Sequence, residues 1–183
     1  MALIIALTGE KLGGKDTVAE YLVKNYGAFH ARHSHVIDDI LNVVDLPVSR
    51  RNEIDLAMGL RRVFGAGIIG KGLRKRVLEA KDKYPIVVMN GVRFQEEVDD
   101  VRSLGGKLIY VTAPEKTRYG RFLKRGEKAD DAKQTLEQFR EQESEPTEIG
   151  IPKLGKEADY TIENTGSLEE FYDKIDKLIG TLK

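Results

Sequence analysis

Glycines and a lysine fall together at a spacing that suits a bound anion. The segment Gly9-Glu10-Lys11-Leu12-Gly13-Gly14-Lys15-Asp16-Thr17 follows an apolar, strand-like run, Ala2-Leu3-Ile4-Ile5-Ala6-Leu7. It opens a helical pattern carried by Val18, Ala19, Leu22, Val23 and Tyr26. Glycines at 9, 13 and 14 let the backbone curl until consecutive N–H groups point at one anion. The dipole of the following helix adds positive potential, and Lys15 adds a mobile charge for β- and γ-phosphates. The pattern Gly-x4-Gly-Lys is complete, with one departure: position 16, where Ser or Thr would offer magnesium a hydroxyl, is Asp, and Thr17 follows it. An incidental glycine-rich turn would not need a strand before it and an amphipathic helix after it. Nucleoside triphosphate binding is the chemistry expected.

Arginines supply the next signal. Arg118, Arg121 and Arg125 recur at three and four residues, so one helical face carries all of them while Tyr119, Phe122 and Leu123 face the core. On periodicity alone a solvated basic face explains them. Arginine rather than lysine, just after the strand-like Val111-Thr112-Ala113-Pro114, favours bidentate phosphate contacts, with Arg121 and Arg125 the better pair and Arg118 structural. His30, His33 and His35 alternate, so 33 and 35 share one side if the chain there is extended. A zinc site would need a third ligand and longer-range closure, and none is expected. Asp38 and Asp39 are spare carboxylates close by.

These groups need a scaffold. Strands are predicted at 2–8, 28–31, 86–89, 107–112 and 158–163, with helices at 15–26, 95–104, 115–125, 133–143 and 168–179. A helix-rich stretch spans 36–81, with Ile54, Ala57, Leu60 and Phe64 on one stripe. Ser167-Leu-Glu-Glu170 is a capping box for the last helix, after the turn signal Asn164-Thr165-Gly166. Strands alternating with helices give an α/β parallel sheet covered on both faces. Two regions look inserted into this single domain of 1–183: the arginine-rich 36–81, and the charged 118–152, bounded by Pro146 and Pro152. One would hold an acceptor and the other would close over the transferring group, moving when ligand binds.

Composition removes other classes. Thirty basic and thirty acidic residues cancel over 183 positions, so no global field recruits nucleic acid or an anionic membrane. The absence of cysteine excludes disulfide scaffolds and thiolate metal sites and fits a reducing, cytoplasmic setting. The first apolar run is under ten residues and lacks a basic leader, so neither signal peptide nor membrane span is expected. The partner expected is a small-molecule nucleotide, bound by a monomer or homodimer.

Four segments together resemble the P-loop nucleoside monophosphate kinase superfamily. The branch is the one near dephospho-coenzyme A kinases, deoxynucleoside monophosphate kinases and uncharacterised archaeal-type nucleotide kinases. Gly14-Lys15-Asp16-Thr17-Val18-Ala19 is similar to the Gly-Lys-Asp-Thr loop of deoxynucleoside monophosphate kinases and some phosphomevalonate kinases, where Asp also replaces Ser. Val88-Met89-Asn90-Gly91-Val92-Arg93-Phe94-Gln95-Glu96-Glu97-Val98 resembles the strand-end Asp-Gly-Ile-Arg…Glu-Val of the archaeal-type group. Arg118-x2-Arg121-x3-Arg125-Gly126 looks like lid arginines, and Ala158-Asp159-Tyr160-Thr161-Ile162-Glu163-Asn164-Thr165-Gly166 like the last strand and the loop beside adenine.

The resemblance implies a three-layer P-loop kinase fold with a five-stranded parallel sheet in the order 2-3-1-4-5. It also implies ATP and Mg2+ as cofactors. Gly9, Gly13, Gly14, Lys15, Asp16, Thr17, Asn164 and Gly166 would hold the nucleotide, Asp16 the metal, and Lys15, Arg121, Arg125 and Arg93 the charge of the transferring group. Arg93 follows a strand's carboxyl end, where open sheets bind ligands, and is read as an acceptor-phosphate residue, with Arg51 and Arg61 as weaker candidates. Two departures stand out: Asn90 occupies the place of a metal-ordering Asp, and His35 stands near where a Ser-Asp or Gly-Asp pair follows the second strand. The expected activity is phosphoryl transfer to a (deoxy)nucleoside monophosphate. Dephospho-coenzyme A kinase is the alternative acceptor reading, and a nucleotide-binding regulator with little turnover is the alternative of another class.

Overall fold

The computed structural model describes residues 2–65, 67–125, 135–146 and 148–183, with the backbone alone of Arg50 and Arg125. In chain order the elements are β1 (Leu3–Thr8), α1 (Lys15–Tyr26), β2 (Phe29–Arg32), α2 (His33–Val43), α3 (Arg50–Phe64), α4 (Ile68–Ala80) and β3 (Ile86–Asn90). Then follow α5 (Gln95–Ser103), β4 (Lys107–Thr112), α6 (Glu115–Arg125), α7 (Leu136–Glu143), α8 (Ile151–Glu157), β5 (Tyr160–Glu163) and α9 (Leu168–Leu182). The strands pair in parallel in the order β2-β3-β1-β4-β5, as the resemblance implied.

The centre of the sheet is covered on both faces, which is why β1 and β3 read as unbroken apolar runs rather than alternating ones. Ile5, Leu7, Val88 and Ile109 face α1 and α9, meeting Val18, Leu22, Phe171 and Ile175. Ile4, Ala6, Val87 and Met89 face the other way, onto Leu73 and Val77 of α4, Val98 and Val101 of α5 and Leu154 of α8. At the rate of about 1.5–3 kcal/mol for each fully buried large aliphatic side chain, these two layers supply the main driving force for the sheet. Gly27, at φ 62°, ends α1 in a conformation that costs glycine little. The predicted Ser167 box starts α9: Ser167 Oγ accepts from Glu170 N–H at 3.2 Å and Glu170 Oε2 from Ser167 N–H at 2.8 Å. No helix among the described residues is long and apolar enough to cross a membrane.

The chain departs from expectation in three places. Helix α2 begins at His33, so His33 and His35 stand on a helix, about 200° apart, and not on one side of an extended segment. Pro152, read as a boundary, sits in the first turn of α8, where proline's missing N–H would have had no partner in any case. On α3, Ala57 and Leu60 do pack against Ile37, Leu41 and Ile69, but Ile54 and Phe64 are exposed, so the apolar stripe is only half buried. Tyr119 and Phe122 turn inward as expected, onto the buried Phe139 of α7, at ring-centroid distances of 5.8 and 5.3 Å. Residues 126–134 and Thr147 of the 118–152 region lie outside the described residues.

Candidate phosphate-binding and acceptor sites

The loop between β1 and α1 is built where side chains cannot go. A Cβ on Gly9 would lie 2.0 Å from the Val111 carbonyl oxygen, and one on Gly14, at φ 115°, 2.3 Å from Asn164 Nδ2. Glycine is thus required twice, once by β4 and once by the β5–α9 turn. Asn164 Nδ2 donates to the Gly13 carbonyl at 3.0 Å, and Asn164 N–H to the Thr112 carbonyl at 2.7 Å, fastening that turn to the loop.

Lys15 folds back over the loop and donates to the Gly9 and Glu10 carbonyls at 2.6 and 2.9 Å. Burial, reinforced by the Arg93 guanidinium, pushes its ammonium down to about 8, against the opposing pull of Asp16, Glu148 and Glu10. An arriving anion would reverse that balance. Glu10 in turn accepts from the Tyr110 hydroxyl. Burial and then Glu10 push that phenol up to about 12.

Arg121 and Arg118 share a helix but not a role. Arg121 donates to the Leu12 carbonyl at 3.0 Å and the Asn164 carbonyl at 3.2 Å. It lines a cavity of about 370 Å3 together with Gly14, Lys15, Asp16, Thr17 and Gly166. Arg118 is buried elsewhere: it donates to the Ala113 carbonyl at 3.0 Å, pairs with Glu143 and lies 5.8 Å from the centre of the Phe139 ring. It holds α6 to α7. The backbone of Arg125 ends α6; its side chain lies outside the described residues.

On the other side of Lys15, the Gly91 and Val92 N–H groups both donate to the Leu7 carbonyl at 3.0 Å, which brings the end of β3 against the loop. Arg93 emerges there and pairs with Glu148 at 2.5 Å, a carboxylate only 5% exposed. Asn90 Nδ2 donates to Asp16 Oδ1 at 2.8 Å and stands 3.2 Å from His30 Nε2, while Arg32 approaches the same Asp16 oxygen at 3.6 Å. Burial first, then the charges of Arg32 and His35, push His30 down to about 4, so its ring is neutral and Nε2 can accept.

Asp16 and Thr17 offer hard oxygen donors on the cavity wall. That fits Mg2+, which takes one or two carboxylates and completes its shell with phosphate and water. Among the described residues no cluster of His, Cys, Asp or Glu forms a self-sufficient metal site, and the His30 and His35 rings meet edge to face at 5.6 Å.

A second cleft, of about 330 Å3, opens between the start of α4 and α5, lined by His33, Arg61, Phe94, Glu96, Glu97 and Asp100. Arg61 therefore lines this second cleft, whereas Arg51 pairs outward with Asp55 at 2.6 Å. Sequence reasoning passed over Arg32, Glu97 and Glu148. Their signal is positional only: Arg32 ends a strand, and Glu97 stands three residues after Phe94, where it accepts the Phe94 N–H and caps α5.

A parallel sheet in this order, with a glycine loop and an inward lysine joining β1 to α1, defines a P-loop NTPase of kinase-like fold. The AAA_18 family model, described as an AAA domain, matches residues 5–148. The chain belongs to that family. A UPF0200 protein of Sulfurisphaera tokodaii is 32% identical over 179 residues, which cover 96% of this chain and 95% of that one. A UPF0200/UPF0201 protein of Archaeoglobus fulgidus is 28% identical over 96% of this chain and 54% of its own length. Among solved structures, TT1252 from Thermus thermophilus superposes with a TM-score of 0.58 at 19% identity, covering 100% of this chain and 98% of that one. Shikimate kinase from Bacteroides thetaiotaomicron does so with a TM-score of 0.58 at 12% identity, covering 98% of each chain. At such identities the likeness is one of fold.

Proposed function

We propose that the chain is an ATP- and Mg2+-dependent phosphotransferase. It moves the γ-phosphoryl group to a small nucleotide acceptor, most simply a (deoxy)nucleoside monophosphate. One observation carries this reading: Lys15, Arg121 and the Gly13–Gly14 turn converge on one cavity at the head of α1. Phosphoryl transfer asks the protein for in-line placement and for positive charge around the moving group, with little covalent chemistry of its own.

The residues divide that work. The loop N–H groups and the α1 terminus hold the phosphates. Lys15 exchanges its two carbonyl partners for the β- and γ-oxygens, and Arg121, with Arg125 one turn further on, neutralises charge from the lid side. Arg93, kept beside Lys15 by Glu148, steadies the acceptor phosphate, and Arg61 adds charge at the outer cleft. Asp16 and Thr17 would hold the magnesium ion, which supplies charge compensation to the phosphate oxygens when bound. In this reading 36–81 forms the acceptor side and 118–152 the lid.

The test couples ADP release to a panel of nucleoside monophosphates and dephospho-coenzyme A, with calorimetry of ATP binding alongside. Turnover with a monophosphate is expected. ATP binding without turnover of any acceptor would leave the regulator reading in its place.

A further inference from the structure

The outer cleft contains a pairing that transfer to a phosphate does not need. His33 Nε2 lies 2.8 Å from Glu97 Oε1, with the side chains only 22% and 18% exposed, and both line the cleft. Glu97 cannot swing away, because its other oxygen accepts from the N–H groups of Arg93 at 2.8 Å and Phe94 at 3.3 Å. Burial acts to raise this carboxyl, yet the His33 contact and the two backbone donors hold it below the ordinary carboxylate range. An ionised Glu97 takes the Nε2 proton as its partner, and a neutral ring then carries its lone pair on Nδ1. A base oriented by a fixed carboxylate is the arrangement that activates a nucleophile. A phosphate acceptor is already anionic; a hydroxyl is not.

We propose that His33 is a general base and that this cleft takes an alcohol hydroxyl, so that the chain forms phosphomonoesters as well as phosphoanhydrides. The inference rests on the donor chemistry proposed above and specifies the acceptor. Position supports it from two directions. His33 directly follows Arg32, whose guanidinium reaches Asp16 of the phosphate loop, and Glu97 is bonded to the backbone of Arg93, whose charge bears on Lys15. His33 directly follows the carboxyl end of β2, and Glu97 lies in the first turn of the helix that follows β3, on the side of the sheet where such folds bind ligands.

The step balances without a further reactant. The hydroxyl oxygen bonds to the γ-phosphorus of ATP, the bond from that phosphorus to its bridging oxygen breaks, and the electron pair leaves with ADP. The hydroxyl proton passes to His33 Nδ1 and from there to solvent. Phe94, a residue 39% exposed, forms one wall, and a Cβ on Gly67 or Gly70 would meet nothing within 4 Å. A ribose hydroxyl of a nucleoside or nucleotide suits a cleft of this volume, with Arg61 available to any attached phosphate. The other charged groups lining the cleft are Arg61 from α3 and Glu96 and Asp100 from α5.

The experiment incubates the protein with ATP, Mg2+ and four ribonucleosides, their 5′-monophosphates or dephospho-coenzyme A. Products are read by phosphorus NMR, which separates a monoester singlet from the coupled signals of an anhydride. A monoester is expected. His33→Gln should lower its kcat by about 10²–10⁴-fold, the usual worth of a general base, while ATP affinity stays at the wild-type value. His33→Ala should regain rate when imidazole is added, which a purely structural histidine would not do. Anhydride products alone, or monoester formation undiminished in His33→Gln and unaffected by imidazole in His33→Ala, overturn this inference and leave the monophosphate reading standing. Bound ATP with no acceptor turned over overturns both.

Discussion

Asn90 Nδ2 donates to Asp16 Oδ1 across 2.8 Å, which ties the end of β3 to the first turn of α1. An amide at this point can donate to a carboxylate where a second carboxylate would repel it. The pair explains how two apparent departures coexist: an acid in the loop is matched by an amide, not an acid, at the strand end.

Asp16→Ala is therefore expected to abolish magnesium-dependent turnover, on the order of 10²-fold or more in kcat, as for loss of one electrostatic contact to the transferring group. Steady-state kinetics across a magnesium titration check this. Turnover unchanged from wild type would dismiss Asp16 from the metal site.

Lys15→Met should lose ATP affinity in calorimetry and also alter the pH dependence of folding. The ammonium titrates near 8 in the folded chain and at 10.5 when unperturbed. Between those values the unfolded chain holds the proton that the folded chain has released, so this group makes the protein more stable as pH rises. The melting temperature of wild type relative to Lys15→Met should climb from pH 8 to 10.5. A flat difference would show that the ammonium is not buried.

His30 gives the opposite end of the range. It is neutral in the folded chain down to about 4 but protonates at 6.5 when unperturbed. Its contribution is present above 6.5 and fades as pH falls toward 4, because the unfolded chain then gains the proton first. Thermal melts of His30→Asn should show a shallower acid loss than wild type between pH 6.5 and 4.

Arg93→Ala strands Glu148, which is 5% exposed; because Arg93 itself is 41% exposed and water screens the pair from that side, the cost should be about 1–3 kcal/mol of stability, below the range for a pair buried on both sides. The double variant Arg93→Ala with Glu148→Gln should recover part of that stability but none of the turnover. Denaturant melts and kinetics on the same samples separate the two effects. Recovery of activity would exclude Arg93 from the acceptor phosphate.

What the sequence made legible follows from where information is local. Gly9, Gly13, Gly14 and Lys15 lie within one turn of chain, and the apolar runs of β1 and β3 declare central strands by themselves. The Ser167 box likewise needs only Glu170 beside it. Pairings between distant segments were not legible: Arg32 with Asp16, His33 with Glu97 and Arg93 with Glu148 each join elements that only the sheet order brings together. The two-sided fate of α6 was hidden for the same reason. Equal spacing could not tell Arg118, committed to Glu143, from Arg121, which faces the nucleotide cavity.

The aromatic ring at 139 has one last implication. Tyr119, Phe122 and the Arg118 guanidinium all rest on it, and Arg118 clasps Glu143 at the far end of the same short helix. One ring and one ion pair therefore fasten α6 to α7, and loss of that ring would strip two aromatic neighbours and the guanidinium of their common support in a single step.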